Sequence, residues 1–237
     1  MVTEKDIYST GRLTARWANF TPTEQKPGVH PLKLDNKRES FVYLPKGYNP
    51  QHPSSLVVLL HGAGGQAGHG LSILRSFADE KNLILLAPSS RAGTWDIIAS
   101  QTFGTDVLYI DQALRFCFEH YAVETSRVAI GGFSDGASYA LCLGLTNGDL
   151  FTHVLAFSPG FCYRIAQAGT PGIFISHGIK DRILPIDPCS RKIVSDLQQQ
   201  NVKVNYKEFE GGHEIPARIS KSAVDWFLKP NNSAEKK

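Results

Sequence analysis

Several short runs in this chain are apolar at every position rather than at alternate ones, such as Leu56-Val-Val-Leu-Leu60 and Leu83-Ile-Leu-Leu86. That pattern leaves few folds open. A strand of this kind must be covered on both faces, as in a buried parallel sheet. Strands are expected at residues 41–45, 56–61, 83–88, 128–133, 153–158, 173–177 and 202–209. Helices are expected between them, at 70–81, 105–121, 134–147, 188–200 and 216–229. Such alternation implies an α/β layering with right-handed crossovers. Residues 12–17 and 41–45 precede the first crossover and are expected to form an antiparallel edge. With 237 residues, 42% of them hydrophobic, the chain can bury one large core. A single domain over 1–228 follows, with 229–237 as a polar, solvated tail.

Charge and cysteine usage exclude other classes. Net charge is only +3 and no basic stripe is visible, so no nucleic acid is expected as a partner. The charged N-terminus carries no apolar segment of secretory type. No apolar run approaches the roughly 20 residues that span a bilayer. Cys117, Cys142, Cys162 and Cys189 lack metal-binding spacing. Cys117 and Cys142 fall in apolar helical runs and read as core filler. A Cys162–Cys189 bridge stays open, but the plain expectation is a reduced, cytoplasmic protein.

The chemistry concentrates at Gly132-Phe133-Ser134-Asp135-Gly136, between an apolar strand and a helical run. Glycines two residues either side of a serine suit a very tight strand-to-helix turn. Such a turn lifts the serine hydroxyl clear of the sheet, where it can act as a nucleophile. The helix that follows carries Gly136, Ala140 and Gly144 at a spacing of four, one nearly bare face that can lie close on the sheet.

A serine hydroxyl needs a base, and the base needs an acid to fix its tautomer. Ligand sites in open α/β sheets lie at the C-terminal ends of strands, so both partners should follow strands. Asp181 follows the strand expected at 173–177, and His213 follows the strand expected at 202–209 after two glycines. Asp187 also follows the first of these strands, but beyond Pro185 and close to a helix start, where an N-cap or a first-turn acid is expected. Asp135 is too near Ser134 in sequence to sit behind the histidine. His177 reads as a structural hydrogen-bonder rather than a second base. His30, His52, His120 and His153 lack such a setting. The developing oxyanion needs donors as well. One is the backbone N–H of Asp135. The other is sought in the small-residue loop His61-Gly62-Ala63-Gly64-Gly65, which lacks the endings of nucleotide-binding loops.

With these segments in place, the chain resembles the phospholipase/carboxylesterase branch of the α/β-hydrolases, which includes acyl-protein thioesterases and small esterases. It is also similar to the polyhydroxyalkanoate depolymerase and feruloyl esterase group. The matching segments are Leu59-Leu-His-Gly-Ala-Gly-Gly65, Gly131-Gly-Phe-Ser-Asp-Gly136, Ser176-His-Gly-Ile-Lys-Asp-Arg-Ile-Leu-Pro185 and Gly211-Gly-His213. The resemblance implies an α/β-hydrolase fold, with a mostly parallel sheet of seven to eight strands and no large lid. It implies Ser134 as nucleophile, Asp181 as acid and His213 as base. It also implies that the N–H of Ala63 shares the oxyanion hole with Asp135, and that Leu184 faces the acyl group. Asp135 stands where this branch often has glutamine or asparagine, and its carboxylate would disfavour anionic substrates.

The expected reaction is two-step acyl transfer on a carboxylic ester, with no metal or organic cofactor. Thioester or lysophospholipid hydrolysis, peptide hydrolysis, and binding without catalysis are the alternatives. Because the base must be neutral, the rate should fall as pH drops through about 6–7. Trp95, Ile97, Ile98 and Phe103 in residues 89–104, with Phe161 and Leu184, either wall a small hydrophobic pocket or are ordinary core. A walled pocket would favour short acyl chains or small aromatic esters.

Overall fold

The computed structural model describes residues 8–17, 25–35, 37–163 and 167–230. The fully apolar runs are strands covered on both sides: all of β3 (Ser54–Leu60) and β4 (Leu83–Ala87) is buried. The remaining strands are β1 (Gly28–Leu32), β2 (Ser40–Leu44), β5 (Val123–Phe133), β6 (His153–Phe157), β7 (Gly172–Gly178) and β8 (Val204–Phe209). Together they form one eight-stranded sheet in the order β1-β2-β4-β3-β5-β6-β7-β8. Strands β4 through β8 run parallel along that order, and β1 and β2 are antiparallel at one edge.

The helices are α1 (Ala67–Ser72), α2 (Arg75–Ala78), α3 (Asp96–Ser100), α4 (Thr105–His120), α5 (Asp135–Thr146), α6 (Lys192–Gln199) and α7 (Ala217–Phe227), with a π-helical turn at Asp187–Arg191 before α6. They cover both faces of the sheet, and two apolar cores result. One joins α4, α5 and α6 to the sheet; the other joins α1, α2 and α7 to it. The architecture is that of the α/β-hydrolases.

Two expectations about elements are corrected. Residues 12–17 are not an edge strand. Their backbone N–H groups go to side chains instead: Leu13 to Asn147 Oδ1 at 2.8 Å, Thr14 and Ala15 to Asp111 Oδ1 at 2.6 and 2.7 Å. A segment whose donors are taken this way has none to offer a ladder. The edge partner of β2 is β1, which contains Pro31 paired with Phe41. Proline is tolerated there because an outermost strand leaves half its donors unused. The helix expected at 70–81 is two short helices, with Ile73 and Leu74 donating to residues three back rather than four. Residues 1–7 and most of the tail expected at 229–237 lie outside the described residues. No disulfide joins the four cysteines. Burial pushes the Cys142 thiol up to about 12, as suits packing rather than reactivity. No helix among the described residues is long and apolar enough to cross a membrane.

Candidate active site

Strand β5 ends at Phe133 and α5 begins at Asp135, so a single residue makes the turn. That residue, Ser134, has φ 56° and ψ −120°. Non-glycine residues avoid this region, and such strain persists only where the surroundings enforce it. The surroundings here are backbone. A Cβ on Gly136 would lie 2.3 Å from the Leu60 carbonyl oxygen, and one on Gly132 would lie 2.5 Å from the Gly136 backbone. The two glycines are therefore a steric requirement of the turn. The Ser134 N–H donates to the Phe157 carbonyl at 3.0 Å, tying the turn to β6.

The sheet brings the two downstream residues to the same edge. Asp181 follows β7 and His213 follows β8, and these strands are paired in register up to Gly178 and Phe209. The Lys180 N–H donates to the Gly211 carbonyl at 2.9 Å, holding the two loops together. His213 Nε2 lies 2.9 Å from Ser134 Oγ, and His213 Nδ1 lies 2.6 Å from Asp181 Oδ2. Facing a carboxylate, Nδ1 carries the proton, so Nε2 is left to accept from the serine hydroxyl. The Phe133 ring lies 4.6 Å from the imidazole and limits its rotation. Ser134 is 8% exposed, so a substrate reaches it from one side.

Asp181 is held from behind. Its Oδ1 accepts from the N–H groups of Ile183 and Leu184, each at 2.9 Å. Burial pushes this carboxyl up, but the Leu184 N–H, His213 and the Ile183 N–H outweigh it, and the group lies below the ordinary carboxylate range. His177 is fully buried beside it, with Nε2 3.1 Å from Asp181 Oδ2. Asp187 takes one of the places expected of it, in the first turn of the π-helical segment, bonded to Arg191 at 2.8 Å.

The small-residue loop after β3 faces the elbow. A Cβ on Gly62 would lie 3.4 Å from the Ser134 Cβ. Gly64 and Gly65 donate their N–H groups to Gly93 and Gly62, at 2.8 and 3.0 Å. Among the described residues, the N–H groups of Ala63 and Asp135 meet no such acceptor. The Asp135 carboxylate does have a partner, Thr94 Oγ1 at 2.5 Å. That contact ties the loop before α3 to the elbow, and no motif along the chain signals it.

The expected pocket divides. Trp95 and Phe103 are 0% and 4% exposed. Trp95 stacks on Tyr139 and donates its indole N–H to the His61 carbonyl at 2.8 Å; Phe103 meets the edge of Tyr139. Both are core because α5, buried on all its faces, offers Tyr139 to them, and aromatic faces pack on one another. Ile97 is buried with them. Phe161 and Leu184 remain half-exposed near the elbow. Ser138 Oγ, one turn into α5, accepts from the Gly160 N–H at 2.9 Å and the Phe161 N–H at 3.4 Å. Leu184 packs on Gly160, where a Cβ would lie 3.3 Å from it. On the opposite side, a cavity of about 360 Å³ runs between Gly62, Phe133, Phe77 and Ile215. No reading of the sequence pointed to it, because its walls come from α1 and α2 on one side and from α7, far along the chain, on the other.

Comparisons with known proteins show the fold and the family. A probable feruloyl esterase C of Aspergillus flavus is 29% identical over 168 residues, 68% of this chain and 60% of that protein. The chain thus spans about 60% of the length of that curated relative. A ferulic acid esterase of Anaeromyces mucronatus superposes with a TM-score of 0.62 at 19% identity, covering 95% of both chains. An S-formylglutathione hydrolase of Staphylococcus aureus superposes with a TM-score of 0.69 at 16% identity, covering 86% of this chain and 98% of that one. The model of the family described as phospholipase/carboxylesterase matches residues 99–229, more than half of the chain. This chain belongs to the phospholipase/carboxylesterase family of the α/β-hydrolases.

Proposed function

We propose that the protein is a serine hydrolase of carboxylic esters, acting on small or short-acyl substrates through an acyl-enzyme. The observation that carries this reading is the unbroken path from Ser134 Oγ through His213 to Asp181, at 2.9 and 2.6 Å, on a turn that strains the serine backbone. His213 takes the hydroxyl proton as Ser134 attacks the carbonyl carbon. The N–H groups of Ala63 and Asp135 hold the oxyanion, and each donor of this kind is worth about 3–4 kcal/mol where it has been removed in other enzymes. His213 then protonates the departing alcohol. Water enters, gives its proton to His213 and releases the acid. Asp181 stays ionised throughout and stabilises the imidazolium.

An apolar rim supports a preference for uncharged acyl groups. Ile183 on the acid turn is 70% exposed, and Tyr163 is 52% exposed with its ring 4.6 Å from that of Phe161. With Leu184 these side chains give a small aromatic or short aliphatic group a surface to lie on, and the Asp135 carboxylate disfavours anions. The feruloyl esterases among the relatives make methyl esters of hydroxycinnamic acids natural candidates. The four cysteines without disulfides suit a reducing compartment, and we read the location as cytoplasmic.

Labelling with a fluorophosphonate tests the nucleophile. The wild type is expected to be labelled, and Ser134→Ala to lose both the label and turnover. A wild type that resists the probe overturns the reading. A panel of p-nitrophenyl esters from acetyl to palmitoyl, with methyl ferulate and an acyl-thioester, tests the substrate class. Rates should be highest at the short end or with the aromatic ester, and a maximum at palmitoyl would refute the small site.

A further inference from the structure

Asp181 Oδ2 faces two imidazoles. His213 Nδ1 lies 2.6 Å from it and His177 Nε2 lies 3.1 Å from it. Only the first is needed for the reaction above. His177 is completely buried at the end of β7, and its second partner on Nε2 is the Leu184 carbonyl at 2.8 Å. Both neighbours of Nε2 are acceptors, so that nitrogen must carry a proton; a bare lone pair there would face two oxygens. The other nitrogen, Nδ1, lies 2.5 Å from Ser190 Oγ in the π-helical turn. With Nε2 protonated and the ring neutral, Nδ1 accepts, and the buried Ser190 hydroxyl donates. Burial lowers the affinity of His177 for a second proton, outweighing the Leu184 carbonyl and Asp181.

We propose that His177 is a positioning residue for the acid: a neutral imidazole, locked by Ser190 in the Nε2–H form, whose proton fixes the Leu184 carbonyl and sits against the oxygen of Asp181 that His213 uses. The proposal rests on the esterase reading of the site. It joins elements remote in sequence into one relay, from Ser190 through His177 to Asp181, then His213 and Ser134. The Leu184 contact serves a second end. Leu184 gives its N–H to Asp181 Oδ1 and its carbonyl to His177, so one residue of the acid turn is held at both ends of its backbone.

The other groups facing this centre are few. Glu208 is the register partner of His177 on β8, but its carboxylate is paired with Arg191 at 2.7–2.8 Å. Cys189, in the π-helical turn, is buried and faces Asp181, and burial raises its thiol. It therefore stays neutral beside the carboxylate. The pH response of the acid is thus set by His213 and His177. A proton edge beside a carboxylate stabilises its charge and weakens its hold on another cation. Without the His177 N–H, Asp181 should hold the protonated His213 more tightly, and the acid limb of the rate profile should move to higher pH.

The test compares His177→Leu, His177→Gln and Ser190→Ala. In His177→Leu, kcat with a short p-nitrophenyl ester should fall about tenfold to a hundredfold, a fraction of what acid–base catalysis contributes in all. The acid limb of kcat/KM should rise by about half a pH unit or more, each unit corresponding to about 1.4 kcal/mol. His177→Gln can still place an N–H near the Nε2 position and should recover most of both. Ser190→Ala frees the tautomer and should give a smaller shift in the same direction. A purely structural residue would lower activity in proportion to folded fraction and leave the limb in place. The downfield proton resonance of His213 Nδ1–H provides a readout independent of turnover, and it should move in His177→Leu. A folded His177→Leu with an unmoved resonance and an unmoved limb overturns the proposal, as does a His177→Gln that loses as much as His177→Leu. Failure of wild-type fluorophosphonate labelling with a shifted resonance would instead count against the esterase reading alone.

Discussion

At Asp181 the two carboxylate oxygens have different duties: Oδ1 accepts from two backbone N–H groups, and Oδ2 faces His213 and His177. In Asp181→Asn the amide oxygen would keep the Oδ1 position, because only an acceptor satisfies those N–H groups. The NH2 would then face His213 Nδ1 and force its proton to Nε2, where it cannot accept from Ser134. We expect kcat to fall about 10⁴-fold, as when the tautomer is inverted in comparable sites, with a stability loss of about 1–3 kcal/mol because the NH2 also faces the buried Nε2–H of His177. Steady-state kinetics and a denaturation curve on the same sample check both halves. His153, remote from the site, carries a different prediction. Burial, aided by the nearby Arg127, holds its imidazole down at about 4. The folded state keeps it neutral while the unfolded chain takes up a proton below the ordinary imidazole value of about 6.5. Stability should therefore decline as pH falls from about 6.5 toward 4. In His153→Phe, which keeps the packing against Trp226 and Phe227, the difference between urea midpoints at neutral and mildly acidic pH should shrink. An unchanged difference would show that His153 does not bear on acid stability. Neither Asp181's divided oxygens nor His153's burial could be read from the chain, because both depend on neighbours brought in by other strands.

Among the elements, the turn between β5 and α5 was legible because its steric demand is local. Glycine at both flanking positions says that backbone passes where a Cβ would stand, and the Leu60 carbonyl is what passes there. Gly136→Ala should cost roughly 2–4 kcal/mol, since the obstacle is backbone and cannot rotate away. A melting temperature close to that of the wild type would contradict it. The loop after β3 was legible only in part. Its small residues announced a substrate-facing loop, but not what keeps it in place. Arg38 spans the gap: one guanidinium nitrogen donates to the Ser90 carbonyl, the Ser90 hydroxyl and the Ala92 carbonyl at 2.5–2.9 Å, and the other to the Gly65 carbonyl at 2.5 Å. Because every one of those acceptors is neutral, Arg38 reads in sequence as any surface arginine. Arg38→Ala should release the loop and lower kcat about tenfold, less than the loss of a whole oxyanion donor, with KM little changed. Added methylguanidinium should restore part of the rate, and no restoration would argue against the clamp.

On the scale of the whole molecule, one buried carboxylate fastens residues 8–15 to helix α4. Asp111 on α4 accepts from the Thr14 and Ala15 N–H groups, from the hydroxyls of Tyr8 and Thr14, and from Arg115. Asp111→Ala strands several buried donors at once and should cost about 3 kcal/mol or more, with hydrogen exchange speeding first in residues 8–17. Uniform protection of that segment in the variant would refute this. The layering, by contrast, was implicit in the chain. Runs apolar at every position require cover on both faces, and short connections leave right-handed crossovers as the way to supply it. The chain alone therefore determined the layering, the elbow, and the order in which nucleophile, acid and base follow their strands, since each rests on local sterics or on apolar patterning that any neighbour would satisfy. Tertiary structure decided what depends on particular neighbours. It sent Trp95 and Phe103 inward to Tyr139, gave β2 its edge partner in β1, and set His177 against Asp181. Such contacts join residues tens of positions apart, and no periodicity along the chain encodes which side chains will meet once strands β7 and β8 are in register.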